Sequence, residues 1–196
     1  IMEGIIDEYL KNPIPDTRIT AVPFVDADGV VAGDQGKNRR PHDHNRDYLD
    51  TIYNGVRAVK EIAGKGDVLA VFDLHSPWHI SGRNDKIFCV RNSEKKLDDM
   101  RLFGRCFEES ITPDAMKYST KNDIDLGVEW NIGKERTSCG SFCRDIPGVE
   151  LAFTLETTYF GEPGNVVSQE KLVATGRCFL EGFRKYLILK GMEKTI

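Results

Sequence analysis

No apolar run in this chain approaches the roughly 20 residues that a membrane helix requires. The longest, such as Val68-Leu69-Ala70-Val71-Phe72, are only strand-sized. There is no strong excess of one charge either: 27 Lys and Arg are interspersed with 31 Asp and Glu, for a formal net charge of −4. Neither nucleic acid nor an anionic membrane surface is therefore expected as a partner. Five cysteines are too few and too scattered for a disulfide framework. Cys139 and Cys143, four apart, are read as two small apolar residues in a loop, with a local disulfide as the alternative. A metal pair is disfavoured because no second Cys or His pair lies near them. Repeats, linkers and low-complexity tracts are lacking, and 196 residues with 40% hydrophobic content suit one domain, 1–196, with a sizeable core. A capped start is lacking as well. Ile1, Ile5, Ile6, Tyr9 and Leu10 recur at helical spacing up to Asn12-Pro13, but no Ser, Thr, Asp or Asn precedes them. An uncapped helix at residue 1 predicts further chain upstream, and the absence of a targeting signal then decides nothing about compartment.

What is present alternates in period. Residues 18–25 read as a strand, with Pro23 marking an edge or an irregularity. Residues 26–47 form a polar, glycine-containing loop. Residues 50–63 place Ile52, Val56, Val59, Ile62 and Ala63 on one helical face, and Gly64-Lys65-Gly66 ends the helix. Residues 67–74 are an almost unbroken apolar run, as expected of a strand buried on both faces. A shorter strand over 86–90, a helix over 93–110, a region of loops and short elements over 112–148, a buried strand over 149–157 and a long amphipathic helix over 168–189 complete the reading. This predicts an α/β fold with a mixed, mostly parallel sheet flanked by helices.

Three segments carry polar residues where such folds place their chemistry, at strand ends and adjoining loops. Arg39, Arg40, His42, His44 and Arg46 fall within eight residues, beside Asp43 and Asp47. This is either a solvated loop with local ion pairs or an anion site, because a guanidinium fork matches a carboxylate. His75 ends the most apolar strand just before Ser76-Pro77, with Asp73 on the same side two residues back. Glu156 emerges from the apolar strand Phe153-Thr154-Leu155. A carboxylate there needs a partner or a purpose, and its pKa would be pushed upward, as suits a general base. The plain alternatives are a structural histidine and a structural salt bridge.

In this order and spacing, Asp43-His44-Asn45-Arg46, Asp73-Leu74-His75-Ser76 and Thr154-Leu155-Glu156 resemble the zinc metallocarboxypeptidase family (carboxypeptidase A-like). The stretch Val22 to Val30, with Asp28-Gly29, is also similar to that family's Asn-Pro-Asp-Gly strand. The resemblance runs from Ile1 to about Gly161. It implies a zinc cofactor and a peptide substrate with a free C-terminal carboxylate. Asn45 and Arg46 would bind that carboxylate, His75 would be a zinc ligand, and Glu156 would be the general base. Asp43 would orient another zinc-bound His, and Arg39 or Arg40 would polarise the scissile carbonyl.

The departures are informative. The family's other two ligands come as His-x-x-Glu, and no His here is followed by Glu at that position. They are expected upstream of Ile1, which agrees with the uncapped helix and leaves the first part of the domain missing. No Tyr lies between Tyr118 and Glu156, where many members carry one on a mobile loop. Trp130 or the loop Cys139 to Arg144 is the candidate cover instead. Asp26, Asp28 and Asp34 evoke a calcium loop, but the EF-hand spacing and terminal Glu are absent. Two rival functions remain: a zinc amidohydrolase deacylating N-acyl amino acids, and a domain that binds peptide C-termini without cutting them.

Overall fold

Two apolar strands decide where everything else lies: one is buried throughout, and the other, over the run expected to be buried on both faces, is half-buried along its length. In the computed structural model, which describes residues 1–34, 36–77, 82–132 and 137–192, β1 (Ala70–His75) runs parallel to β3 (Leu151–Glu156). β2 (Phe88–Arg91) lies antiparallel on the other side of β3, giving the order β1-β3-β2. The sheet is mixed as expected, with one parallel and one antiparallel pair. The helices are α1 (Met2–Lys11), α2 (Ala27–Ala32), α3 (Asn54–Ala63), α4 (Leu97–Ser110), α5 (Cys139–Arg144) and α6 (Gln169–Leu189). None of the helices among the described residues is long and apolar enough to cross a membrane.

Side chains alternate between the faces of a strand, and here the alternation sorts two cores. Ala70, Phe72 and Leu74 of β1, with Leu151, Phe153 and Leu155 of β3, enter a cluster with Met100, Phe103 and Phe107 of α4 and Phe179 of α6. The Phe72 ring lies 4.8 Å from Phe179 and 5.2 Å from Phe153. α1 and α4 both pack on α6. Gly182 permits the second contact, because a Cβ there would stand 2.6 Å from Phe107 Cα. On the opposite face Val71 and Ala152 meet Tyr48, Val56 of α3, and Cys139 and Cys143 of α5. Asp73, His75, Thr154 and Glu156 follow the same alternation. They lie at the C-terminal ends of β1 and β3, on the face covered by α3 and α5.

The expected strand over 18–25 is absent. No described strand pairs with this stretch, and Ile19 and Phe24 are exposed. An apolar extended sequence becomes a strand only where a neighbour supplies its ladder. The predicted loop 26–47 contains α2, capped by Asp26, which accepts from Gly29 N–H, and ended by Gly33 in the left-handed region at φ 71°. Helices expected from residues 50 and 93 start at Asn54 and Leu97. The segment 139–144, expected as a loop, is α5, with Ser138 as its cap. Its two cysteines are buried free thiols with Sγ atoms 3.7 Å apart. Residues 133–136 of the predicted loop region lie outside the described residues. A small ribbon, β4 (Gly161–Glu162) with β5 (Asn165–Val166), follows β3 and was not anticipated.

Candidate active site

The parallel register sets His75 directly against Glu156. His75 Nε2 lies 3.1 Å from Asp73 Oδ1, so in the neutral ring the proton sits on Nε2 and Nδ1 keeps its lone pair. Asp73 Oδ2 and Glu156 Oε2 are buried and accept no hydrogen bond from the described residues. Each such oxygen costs about 1–3 kcal/mol of lost solvation, which is unusual at two adjacent strand ends. Burial opposes a charged His75, but the carboxylates of Asp73 and Glu156 outweigh it and raise the imidazole to about 9, with Arg46 pushing weakly the other way. Burial raises Glu156 above the usual carboxylate range; the His75 charge opposes that and Asp73 reinforces it.

The cationic loop reaches this edge through α5, which packs on β1 and β3. Asn45 Oδ1 accepts from Cys139 N–H at 2.8 Å, and the next residue of the loop, Arg46, is exposed and donates to Asn45 O at 2.9 Å. Its charge is felt at His75. Tyr48 closes the segment, with its N–H on Thr137 O and its carbonyl held by Lys60 Nζ. Two neighbours carried no sequence assignment. Asp47, fully buried, accepts from His42 Nε2 at 2.9 Å and from the N–H groups of Ile52 and Tyr53 at 3.0 and 2.8 Å. Burial works to raise its carboxyl, but these donors prevail and lower it. The hydroxyl of Tyr53 donates to the carbonyls of Arg40 and His42. The signal available for Asp47 is its position directly after Arg46; for Tyr53 the sequence offers none.

The two arginine candidates have different surroundings. Arg39 is held by Asp26, with Nε–Oδ2 at 2.8 Å, and by Asp28 at 2.8 Å, with Asp34 at 3.6 Å. The carboxylates that evoke a calcium loop therefore surround a guanidinium. Arg40 is exposed. Asp43 keeps a buried Oδ1 without a hydrogen-bond partner among the described residues. Trp130 is 58% exposed. Among the described residues no group of three His, Cys, Asp or Glu is placed to hold a metal ion. His75, Asp73, Glu156, Asn45 and Arg46 thus gather at one edge, while Arg39 is committed to a separate acidic cluster.

No family model matches the chain. Curated relatives include cytosolic carboxypeptidase 2 of Danio rerio, 21% identical over 201 residues, covering 92% of this chain and 26% of that protein. Cytosolic carboxypeptidase 3 of Mus musculus is 24% identical over 181 residues, covering 82% of this chain and 17% of that protein. Among solved structures, a metallo-carboxypeptidase from Pseudomonas aeruginosa in complex with (2-guanidinoethylmercapto)succinic acid superposes with TM-score 0.69 at 19% identity, over 98% of this chain and 53% of that one. A metallo-carboxypeptidase from Burkholderia cenocepacia gives 0.64 at 18%, over 86% and 44%. The chain spans about a quarter or less of these curated relatives and about half of these solved structures. The curated relatives are carboxypeptidases, and the solved metallo-carboxypeptidases share the fold of this chain.

Proposed function

We propose that this chain supplies part of the active site of a zinc-dependent carboxypeptidase, which releases the C-terminal residue of peptides. The observation that carries the proposal is the pairing of His75 with Glu156 across β1 and β3, with Asn45 and Arg46 held against the same edge. The donor chemistry suits one position of a zinc centre. His75 is hydrogen-bonded through Nε2 to a carboxylate, which leaves Nδ1 for a metal. Glu156, Asp73 and Asp43 each keep a buried oxygen without a hydrogen-bond partner among the described residues, as acceptors serving a metal centre and its ligands would. With no group of three ligands among the described residues, the reading requires two more, expected upstream of Ile1 in a longer chain. Bound zinc would lower the pKa of a water from about 15.7 toward 7 and polarise the scissile carbonyl.

The chain's own residues supply the rest. Glu156, raised by burial, takes the proton of the attacking water and returns it to the leaving amine. Arg46 and Asn45 hold the substrate carboxylate, which enforces exopeptidase action and fixes the peptide bond for attack. Arg40 is the better source of positive charge for the oxyanion, because the charge of Arg39 is balanced by Asp26, Asp28 and Asp34. Asp43 would orient one of the upstream ligands. The succinic acid derivative bound by the Pseudomonas aeruginosa protein is a dicarboxylate, the chemistry expected of a ligand for such a clamp.

The test is turnover by the full-length protein on short peptides with free C-termini, the same peptides as C-terminal amides, and N-acyl amino acids. Cleavage of the free-acid peptides alone is expected, and Glu156→Gln should abolish it while leaving zinc content unchanged. Preferential cleavage of N-acyl amino acids would transfer the site to amidohydrolase chemistry, and near-normal turnover by Glu156→Gln would remove the assigned base.

A further inference from the structure

The loop from Arg40 to Arg46 carries the residues proposed to meet substrate charge, yet it belongs to no long helix or strand. It is fixed at two points, and both tie it to the residues just before α3. Tyr53 holds the approach: its hydroxyl proton is shared between Arg40 O at 2.9 Å and His42 O at 2.7 Å, and its ring stacks on His44 at 4.0 Å. Every second residue leading to Asn45 is thus in contact with one tyrosine. Asp47 holds the exit. Its carboxylate, with none of its surface exposed, gathers one side-chain and two backbone donors within 3.0 Å. A buried carboxylate that satisfies three donors has little freedom to move, and Asn45 and Arg46 are its immediate chain neighbours.

We propose that Asp47 and Tyr53 are positioning residues for the substrate carboxylate, setting the geometry of Asn45 and Arg46 without touching substrate themselves. The inference rests on the carboxylate-clamp reading above. It makes a separate claim, that the discrimination between a free carboxylate and its amide depends on two side chains outside the clamp. A side chain that served only the fold would, when replaced, lower stability and weaken all ligands alike. A positioning side chain acts selectively on the ligand whose two oxygens need both clamp residues in register.

The experiment measures the Kd of an N-acetylated tripeptide with a free C-terminus, and of the same tripeptide as its amide. The full-length protein, Tyr53→Phe and Asp47→Asn are compared by calorimetry, with melting temperatures in parallel. Tyr53→Phe keeps the ring on His44 and removes only the shared hydrogen bond, so the acid-over-amide ratio should fall about fivefold with the amide Kd unchanged, as the loss of one ordinary hydrogen bond implies. Asp47→Asn turns one acceptor into a donor facing donors, and its ratio should fall at least as far. If Asp47→Asn fails to fold, Tyr53→Phe alone decides. Should the unaltered protein bind acid and amide equally, the clamp reading fails, and the positioning proposal with it. If the unaltered protein discriminates and both variants keep the ratio within about twofold, or weaken both ligands equally, the clamp stands and the positioning proposal is overturned.

Discussion

His75 should make the metal-free protein less stable as pH rises, against the usual behaviour of a buried histidine. Its imidazole is raised from the ordinary 6.5 to about 9 because Asp73 and Glu156 outweigh burial. A group whose folded pKa exceeds its unfolded one binds protons more tightly in the native state. Its contribution is complete below pH 6.5 and disappears as pH climbs through about 9. At about 1.36 kcal/mol per pH unit that interval is worth about 3 kcal/mol. With 28% of the side chain exposed, screening brings the expected loss to about 2 kcal/mol. Glu156, raised by burial, has the same sign at lower pH. Buried thiols such as Cys89, raised by their surroundings, add to the slope above pH about 8.5. The assay is urea unfolding from pH 6 to 9 in the presence of a chelator, comparing the unaltered chain with His75→Gln. The difference between the two isolates the histidine, and NMR titration of the ring gives its pKa directly. Asp73→Asn should return that pKa toward the ordinary value. A His75 that titrates at or below 6.5, or a stability difference that does not shrink toward pH 9, would refute the assigned cause.

Gly182→Ala should destabilise the chain by about 1–3 kcal/mol in urea unfolding, because the new Cβ would stand 2.6 Å from Phe107 Cα where α6 crosses α4. Arg91 bridges Asp123 and Asp125 with only 6% of its side chain exposed. Arg91→Met strands the buried Asp123 and should cost about 3–5 kcal/mol at neutral pH. The cost should be smaller in acid, because burial already raises Asp123 to about 6 against the pull of Arg91. In the zinc-loaded full-length protein, Arg40→Ala should lower kcat/KM by about 10²-fold or more on a free-acid peptide, and Arg39→Ala by much less. The reverse order would exchange their roles.

The sequence shows most where one physical cause acts alone. The apolar runs over 67–74 and 149–157 both form strands, the second buried throughout at the centre of the sheet and the first half-buried at its edge, and their register brings His75 to Glu156. Burial and backbone pairing point the same way there. Residues 18–25 have the composition of a strand and none of its structure, because composition reports the willingness to pair and not the presence of a neighbour. The same limit separates Arg39 from Arg40. They are adjacent and chemically equal in sequence, and only the way α2 and its flanks turn Asp26, Asp28 and Asp34 onto one guanidinium commits Arg39 and leaves Arg40 exposed. Asp47 is a third case: a carboxylate among three cations reads as a surface ion-pair partner, whereas two of its three donors are backbone N–H groups that no side-chain pattern records. Residue chemistry thus identifies what could bind a peptide terminus. What remains hidden in the sequence is which charges are already neutralised inside the protein, and that decides which are left for a substrate.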